Sequence, residues 1–212
     1  MDSEAAQTIT TPGGDARVVV SGAADPVLTL VLGHGAGGGI GARDLLVLAK
    51  DLPERGVTVV RVEQPWRVAG RKVAGPPATL DKAWLAVLEA LDVAGPLVVG
   101  GRSAGARVAC RTATQVGAAG CVALAFPLHP PGRPEKSRLD ELLASGVPTL
   151  VVQGERDAFG GPKAFPRKRS RYVVRSIPGA DHSFRVPAPM SRPATLGLVT
   201  ATVAEWVLSL VP

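Results

Sequence analysis

The chain has 212 residues, 46% of them hydrophobic and 20% charged, a balance that supports a packed core and excludes a globally disordered protein. The length suits a single domain, and no apolar run reaches the roughly 18 residues of a membrane span. The formal net charge of +6 favours weak attraction to anions but says nothing about fold.

The N-terminus is polar and acidic, without the basic-then-apolar order of a secretory signal, so a cytoplasmic location is expected. Arginine outnumbers lysine, and alanine, glycine and valine abound, as in proteins of high-GC bacterial genomes. Cys110 and Cys121 each sit inside an apolar stretch and read as small core residues. No Cys/His cluster has ligand spacing, so no metal is expected.

Residues 1–12 read as a frayed tail. Residues 16–21 and 27–32 predict the first two strands, the second ended by Gly33-His34-Gly35-Ala36-Gly37-Gly38-Gly39. Leu45, Leu48, Ala49 and Leu52 recur at helical spacing, which predicts a helix over 42–55 closed by Gly56. The β-branched run 57–62 predicts a buried strand, and 63–79 a loop rich in Pro, Gly and Arg. A helix over 80–93 follows, with Thr79 as its cap. Next come a short strand at 97–100, a small-residue helix over 104–116, a strand at 121–126 and a proline-rich loop over 127–137. A short helix at 139–144, strands at 148–152 and 171–177, and a terminal helix over 195–210 complete the chain. Strands alternate with helices throughout, and there is no repeat or linker. The expectation is one α/β domain, a doubly wound and mainly parallel sheet of six or seven strands flanked by helices.

The glycine-rich segment after the second strand admits three readings. Gly33, Gly35 and Gly38 satisfy G-x-G-x-x-G, and Glu63 at the end of the next strand suits a ribose hydroxyl, as in a dinucleotide site. A glycine loop offering a backbone N–H to an oxyanion is the second, and a bare strand-to-helix turn the third. Gly101-Arg102-Ser103-Ala104-Gly105 weighs against the cofactor. A buried strand leads in and a small-residue helix leads out, the context of a nucleophile elbow. Gly101 and Gly105 remove side chains that would collide around a strained Ser103. The alternative for Ser103 is a plain helix N-cap. No nicotinamide or flavin cofactor is expected.

A serine hydroxyl needs a base. Of the three histidines, His34 lies in the glycine loop and is suited to holding its shape. His129 follows the strand after the elbow, and His182 lies in Gly179-Ala180-Asp181-His182-Ser183-Phe184, beyond the last strand. The chain order serine, acid, histidine favours His182. Asp157, on the turn after strand 148–152, is the candidate acid, with Glu155 and Asp181 as rivals.

Loops 63–79 and 127–138 fall on the same side of the sheet as Ser103, where ligands bind open α/β sheets. They carry Trp66, Arg67, Arg71, Lys72, His129, Arg133 and Lys136, readable as a basic rim for an acidic substrate or as a solvated charged loop. Trp66, Arg102 and His129 are the candidate substrate contacts. Arg167, Lys168, Arg169 and Arg171 form a further basic run, but the chain has one tyrosine and no aromatic interleaving, so nucleic-acid binding is not expected.

The segments 33–37, 100–105, 127–132, 153–157 and 180–184, in this order, resemble the α/β-hydrolase superfamily across nearly the whole chain. The resemblance is to its small lidless group, which includes bacterial dienelactone-hydrolase-like proteins, a testis-expressed hydrolase-like protein and a subunit of a chromatin-associated acetyltransferase complex. It implies Ser103 as nucleophile, Asp157 as acid and His182 as base, with oxyanion donors from the backbone of Ala36 and Ala104. Dienelactone hydrolases place cysteine in the elbow, and Ser103 departs from that. Only about twenty residues separate the strands at 121–126 and 148–152, too few for the helical cap that many members insert, so an open site is expected. The expected function is hydrolysis of a small or exposed carboxylic ester or thioester by a monomer or homodimer. The alternative is a non-catalytic interaction module of the same fold.

Overall fold

The computed structural model, which describes residues 6–166 and 171–211, gathers the alternating pattern into one eight-stranded sheet. Its strands are β1 (Ala6–Thr11), β2 (Gly14–Ser21), β3 (Leu28–Gly33), β4 (Val57–Glu63), β5 (Leu97–Arg102), β6 (Gly120–Leu124), β7 (Thr149–Gly154) and β8 (Tyr172–Ile177). Their spatial order is β1-β2-β4-β3-β5-β6-β7-β8. β2 runs antiparallel to both β1 and β4, and every pair from β4 to β8 is parallel. The helices are α1 (Arg43–Asp51), α2 (Pro65–Val68), α3 (Pro77–Ala90), α4 (Ala104–Thr112), α5 (Leu139–Leu143) and α6 (Arg192–Leu208).

The period-two geometry of a strand sorts its side chains between two cores. Leu28, Leu30 and Leu32 of β3, Val122 of β6 and Leu150 of β7 pack under α1 and α6, with Leu45, Leu48, Val199 and Val203. Val31, Val99, Cys121 and Val151 face the other way, against Trp84 and Val87 of α3 and Ala106 and Ala109 of α4. Helices therefore cover both faces, and β3, β6 and β7 are buried along their whole length. Cys110 and Cys121 are both buried, with 3.7 Å between their sulfurs. Their mutual hydrogen bond and burial push the Cys110 thiol well up, which keeps it an inert core group.

Three expectations are corrected. The supposed tail contains β1, hydrogen-bonded to β2 from Ala6↔Val19 to Thr11↔Gly14, which makes the sheet eight-stranded; residues 1–5 lie outside the described ones. The strand escaped notice because only Ile9 and Thr11 of it are buried. Residues 63–79 are not all loop, since they include α2 and the start of α3. Thr79 does not cap α3. That helix begins at Pro77 without a side-chain cap, its first turn preset by the proline φ. Gly56, at φ 79°, closes the expected 42–55 segment, but as the cap of a 3₁₀ turn, Pro53–Arg55, that follows the end of α1 at Asp51. Between β6 and β7 the only helix is α5, so no cap layer stands over the sheet.

Candidate active site

In a run of parallel strands the carboxyl ends share one edge. The segments following β3, β5, β6, β7 and β8 therefore converge there. Ser103 sits between β5 and α4 at φ 52°, ψ −108°, a conformation that costs a non-glycine residue of order 1–3 kcal/mol. Two close approaches hold it. A Cβ on Gly101 would lie 2.5 Å from the Gly33 carbonyl oxygen, and one on Gly105 2.4 Å from the same peptide. Any side chain at either position would drive β3 and its glycine loop away from the elbow. The Ser103 N–H donates to the Leu124 carbonyl at the end of β6, at 2.9 Å, which fixes the turn from its other side.

His182 Nε2 lies 3.0 Å from Ser103 Oγ, and its Nδ1 lies 2.8 Å from Asp157 Oδ2. The Asp157 carboxylate is buried. It also accepts from the Phe159 N–H at 2.8 Å and from Gln153 Nε2 at 2.9 Å. With Asp157 as acceptor on Nδ1, the imidazole carries its proton there and leaves Nε2 as an acceptor facing the serine. Phe159 packs on the imidazole, with ring centroids 4.3 Å apart.

The rival carboxylates are engaged elsewhere. Glu155 accepts from the Gly179 N–H at 2.9 Å and from Ser176 Oγ at 3.3 Å. Asp181 Oδ1 accepts from the N–H groups of Ser183 and Arg185, each at 2.8 Å, which shapes the histidine loop.

Ala36 and Ala104 line the same open depression of about 510 Å³ as Ser103 and His182. Among the described residues neither of their N–H groups donates a hydrogen bond within the protein. That of Ala104 is the first of α4, where the helix leaves its N–H groups free and the dipole favours negative charge.

His34 acts as a clasp. Its Nδ1 donates to the Gly35 carbonyl at 2.8 Å, and its Nε2 accepts from the Gln64 N–H at 3.1 Å. The second contact needs the neutral ring, because a protonated Nε2 cannot accept, and burial holds the His34 pKa below the ordinary value of 6.5 although the Gly35 carbonyl opposes it. The unfolded chain therefore binds a proton that the folded one refuses, and stability falls as pH drops from about 6.5 through the lowered folded pKa. The slope this one group adds is at most about 1.4 kcal/mol per pH unit. Urea unfolding at pH 7.5 and 5.0 should show a smaller acid loss for His34→Gln than for the wild type, and parallel losses would refute the clasp. Glu63, the residue suited to a ribose, is instead held by Arg17 at 2.6 Å.

The candidate substrate contacts divide. Arg102 lines the depression, but its guanidinium is occupied. Nε pairs with Asp44 at 3.0 Å, and Nη2 donates to the His182 carbonyl at 2.8 Å and to Ser183 Oγ at 3.1 Å. It thus straps the histidine loop to the elbow. Burial raises the Asp44 pKa, an effect that the Arg102 charge opposes. Trp66 and His129 do not line the depression. Trp66 is buried in α2 against His34, ring centroids 5.5 Å apart, because the loop folds its apolar face inward. His129 is turned to its own loop, with Nδ1 2.9 Å from the Pro130 carbonyl oxygen, while its N–H donates to the Phe159 carbonyl.

Arg67, Arg71, Lys72, Arg133 and Lys136 are exposed and also lie off the depression. Of the last basic run, residues 167–169 lie outside the described ones, and Arg171 donates to the Gly146 carbonyl at 2.8 Å. Sequence reasoning missed Gln153, whose buried amide supports Asp157 and also donates to the Phe126 and Gly160 carbonyls. A lone glutamine in an otherwise apolar strand was the signal available. It also missed Asp44, a buried acid in the first turn of α1.

A family model described as an alpha/beta hydrolase domain matches residues 26–207. The chain belongs to the α/β-hydrolase family. Solved structures extend the likeness of this α/β-hydrolase beyond the matched segment. A serine hydrolase without a lid from Xanthomonas campestris aligns with a TM-score of 0.67 at 23% identity, covering 97% of this chain and 96% of that one. Est1E from Butyrivibrio proteoclasticus aligns at 0.73 and 17% identity, over 97% and 98%. A dienelactone hydrolase from Anabaena variabilis aligns at 0.77 and 16% identity, over 99% of both chains. At these identities the structures speak for the fold. No curated protein matches the sequence. Among the described residues no helix is long and apolar enough to cross a membrane.

Proposed function

We propose that this α/β-hydrolase cleaves a carboxylic ester or thioester of a small or exposed acyl group through an acyl-enzyme. The observation that carries the reading is the unbroken hydrogen-bond chain from Ser103 Oγ through His182 to Asp157, at 3.0 and 2.8 Å. Ser103 Oγ attacks the acyl carbon as its proton passes to His182 Nε2, and Asp157 stabilises the imidazolium that forms. The negative charge moves onto the former carbonyl oxygen, where the N–H groups of Ala36 and Ala104 receive it. Collapse breaks the bond to the alcohol or thiol, which leaves with the proton from His182. Water then gives a proton to His182 and attacks the acyl-serine, and the acid departs as Ser103 recovers its proton. The lack of a layer between β6 and β7 to enclose a long chain favours short or protruding acyl groups.

The test is labelling of the purified protein with a fluorophosphonate, followed by peptide mass spectrometry, beside a panel of short p-nitrophenyl esters and thioesters. The expected result is a single adduct on Ser103 and turnover of at least one short ester. An unlabelled Ser103 with no turnover would leave the fold to an interaction module.

A further inference from the structure

Six arginines line the depression around Ser103, together with a single carboxylate, Asp44. Two of the six are neutralised. Arg102 pairs with Asp44, and Arg107 makes a two-pronged bridge to Glu141, with Nε–Oε2 at 3.0 Å and Nη2–Oε1 at 2.6 Å. The other four, Arg43, Arg138, Arg185 and Arg192, pair with no carboxylate among the described residues. They come from separate places in the chain: the first residue of α1, the entry to α5, the histidine loop and the first residue of α6.

Their placement runs against local stability. Arg43 and Arg192 open α1 and α6, where the helix dipole disfavours a cation and favours an anion. The Nε of Arg192 is buried without a hydrogen-bond partner. Burial lowers the Arg192 pKa, and repulsion from Arg43 and Arg185 lowers it further, against the opposing charges of Asp181 and Asp44. Arg138 is lowered likewise, by burial and then by Arg107. A solvated charged surface has no need of such crowding. An anion placed among Arg43, Arg185 and Arg192 would relieve the repulsion and partner the orphaned Nε.

We infer that the substrate bears an anionic group, a carboxylate or a phosphate, which Arg43, Arg185 and Arg192 hold beside the bond that Ser103 attacks. The inference rests on the hydrolase reading above and names the substrate class for the same site. These arginines set specificity by binding a remote part of the substrate, and they do not take part in the bond changes.

The experiment compares substrates with and without an anionic group on the same ester. Mono-p-nitrophenyl succinate carries a carboxylate in its acyl part, and methyl p-nitrophenyl succinate is its neutral counterpart with the same leaving group. Acetyl esters of 2-hydroxyethyl phosphate and of ethylene glycol make the matching pair with a phosphate in the alcohol part. For one pair at least, the wild type should prefer the anionic member in kcat/KM by about tenfold or more, as a desolvated charge pair warrants. The pair that shows the preference identifies which anion, and which side of the ester, is held. The preference should shrink as NaCl rises from 0.05 to 0.5 M, because the site is open to screening ions. Arg43→Gln and Arg192→Gln should each reduce the anionic-to-neutral ratio severalfold, and the ratio cancels any general loss of activity. Arg43 is exposed and makes no side-chain hydrogen bond among the described residues, so its replacement leaves the fold undisturbed. Equal rates for charged and neutral members of both pairs, with Ser103 still labelled by fluorophosphonate, overturn the anionic substrate and leave the hydrolase intact. Neither labelling nor turnover of any ester overturns the hydrolase reading, and this inference with it.

Discussion

Ser103→Ala should lower kcat by about 10⁴-fold or more, equivalent to at least about 5.4 kcal/mol of barrier. In the proposed mechanism the loss is this large because the hydroxyl oxygen is the atom that forms the covalent bond. Among the described residues no other serine shares its setting at the end of β5, with its Oγ 3.0 Å from an imidazole nitrogen. The variant should fold. Alanine removes only the hydroxyl and accepts the φ of 52° no worse than serine does, while Gly101 and Gly105 still allow β3 to approach. An unchanged circular dichroism melt beside the lost turnover would separate chemistry from stability. Retained activity, or a fluorophosphonate adduct on another serine, would remove Ser103 from its proposed role.

Asp157→Asn should lower kcat by roughly 10³–10⁴-fold with a smaller effect on KM. The change is nearly isosteric, and the asparagine oxygen can still accept the Phe159 N–H. Its NH₂ group then replaces Oδ2, the atom that faces His182 Nδ1 and Gln153 Nε2. A donor at that point drives the imidazole proton to Nε2, where it can no longer accept from Ser103. The imidazolium formed during attack also loses its buried counter-charge. Glu155→Gln and Asp181→Asn should each cost about tenfold or less, because both side chains bond backbone N–H groups that an amide oxygen still serves. Steady-state kinetics on one short ester, run for all three variants, decides among the carboxylates. A large loss at Glu155 or Asp181 with little at Asp157 would reassign the acid and leave the fold and Ser103 untouched.

Ser103 was legible in the sequence because an elbow is a local device. The apolar strand, the two glycines and the small-residue helix all lie within some twenty residues, and the two glycines have a steric reason in the close approach of the Gly33 peptide. Asp157 and His182 were legible at one remove. Parallel strands bring every strand-end loop to one edge, so loop membership and chain order narrowed the choice. Order could not separate Asp157 from Glu155 or Asp181. All three fall in the right loops, and only the directions of their side chains tell them apart.

Where the evidence was a side chain's direction, the sequence failed. Trp66 and His129 lie in strand-end loops, yet Trp66 is buried against His34 and His129 bonds the loop that carries it. The N-terminal strand β1 went unseen because pairing with β2, not its own apolar pattern, holds Ala6 to Thr11 in place. The basic rim shows the division most sharply. Composition revealed a surplus of positive charge and pointed to the arginines and lysines of loops 63–79 and 127–138. The arginines around Ser103 come instead from α1, the end of β5, α4, the entry to α5, the histidine loop and α6, with Arg138 alone from the expected loops. Periodicity and local sterics act over a few residues and can be read along a chain. Convergence of charges from distant segments exists only once the sheet has ordered its strands and the helices have covered its two faces.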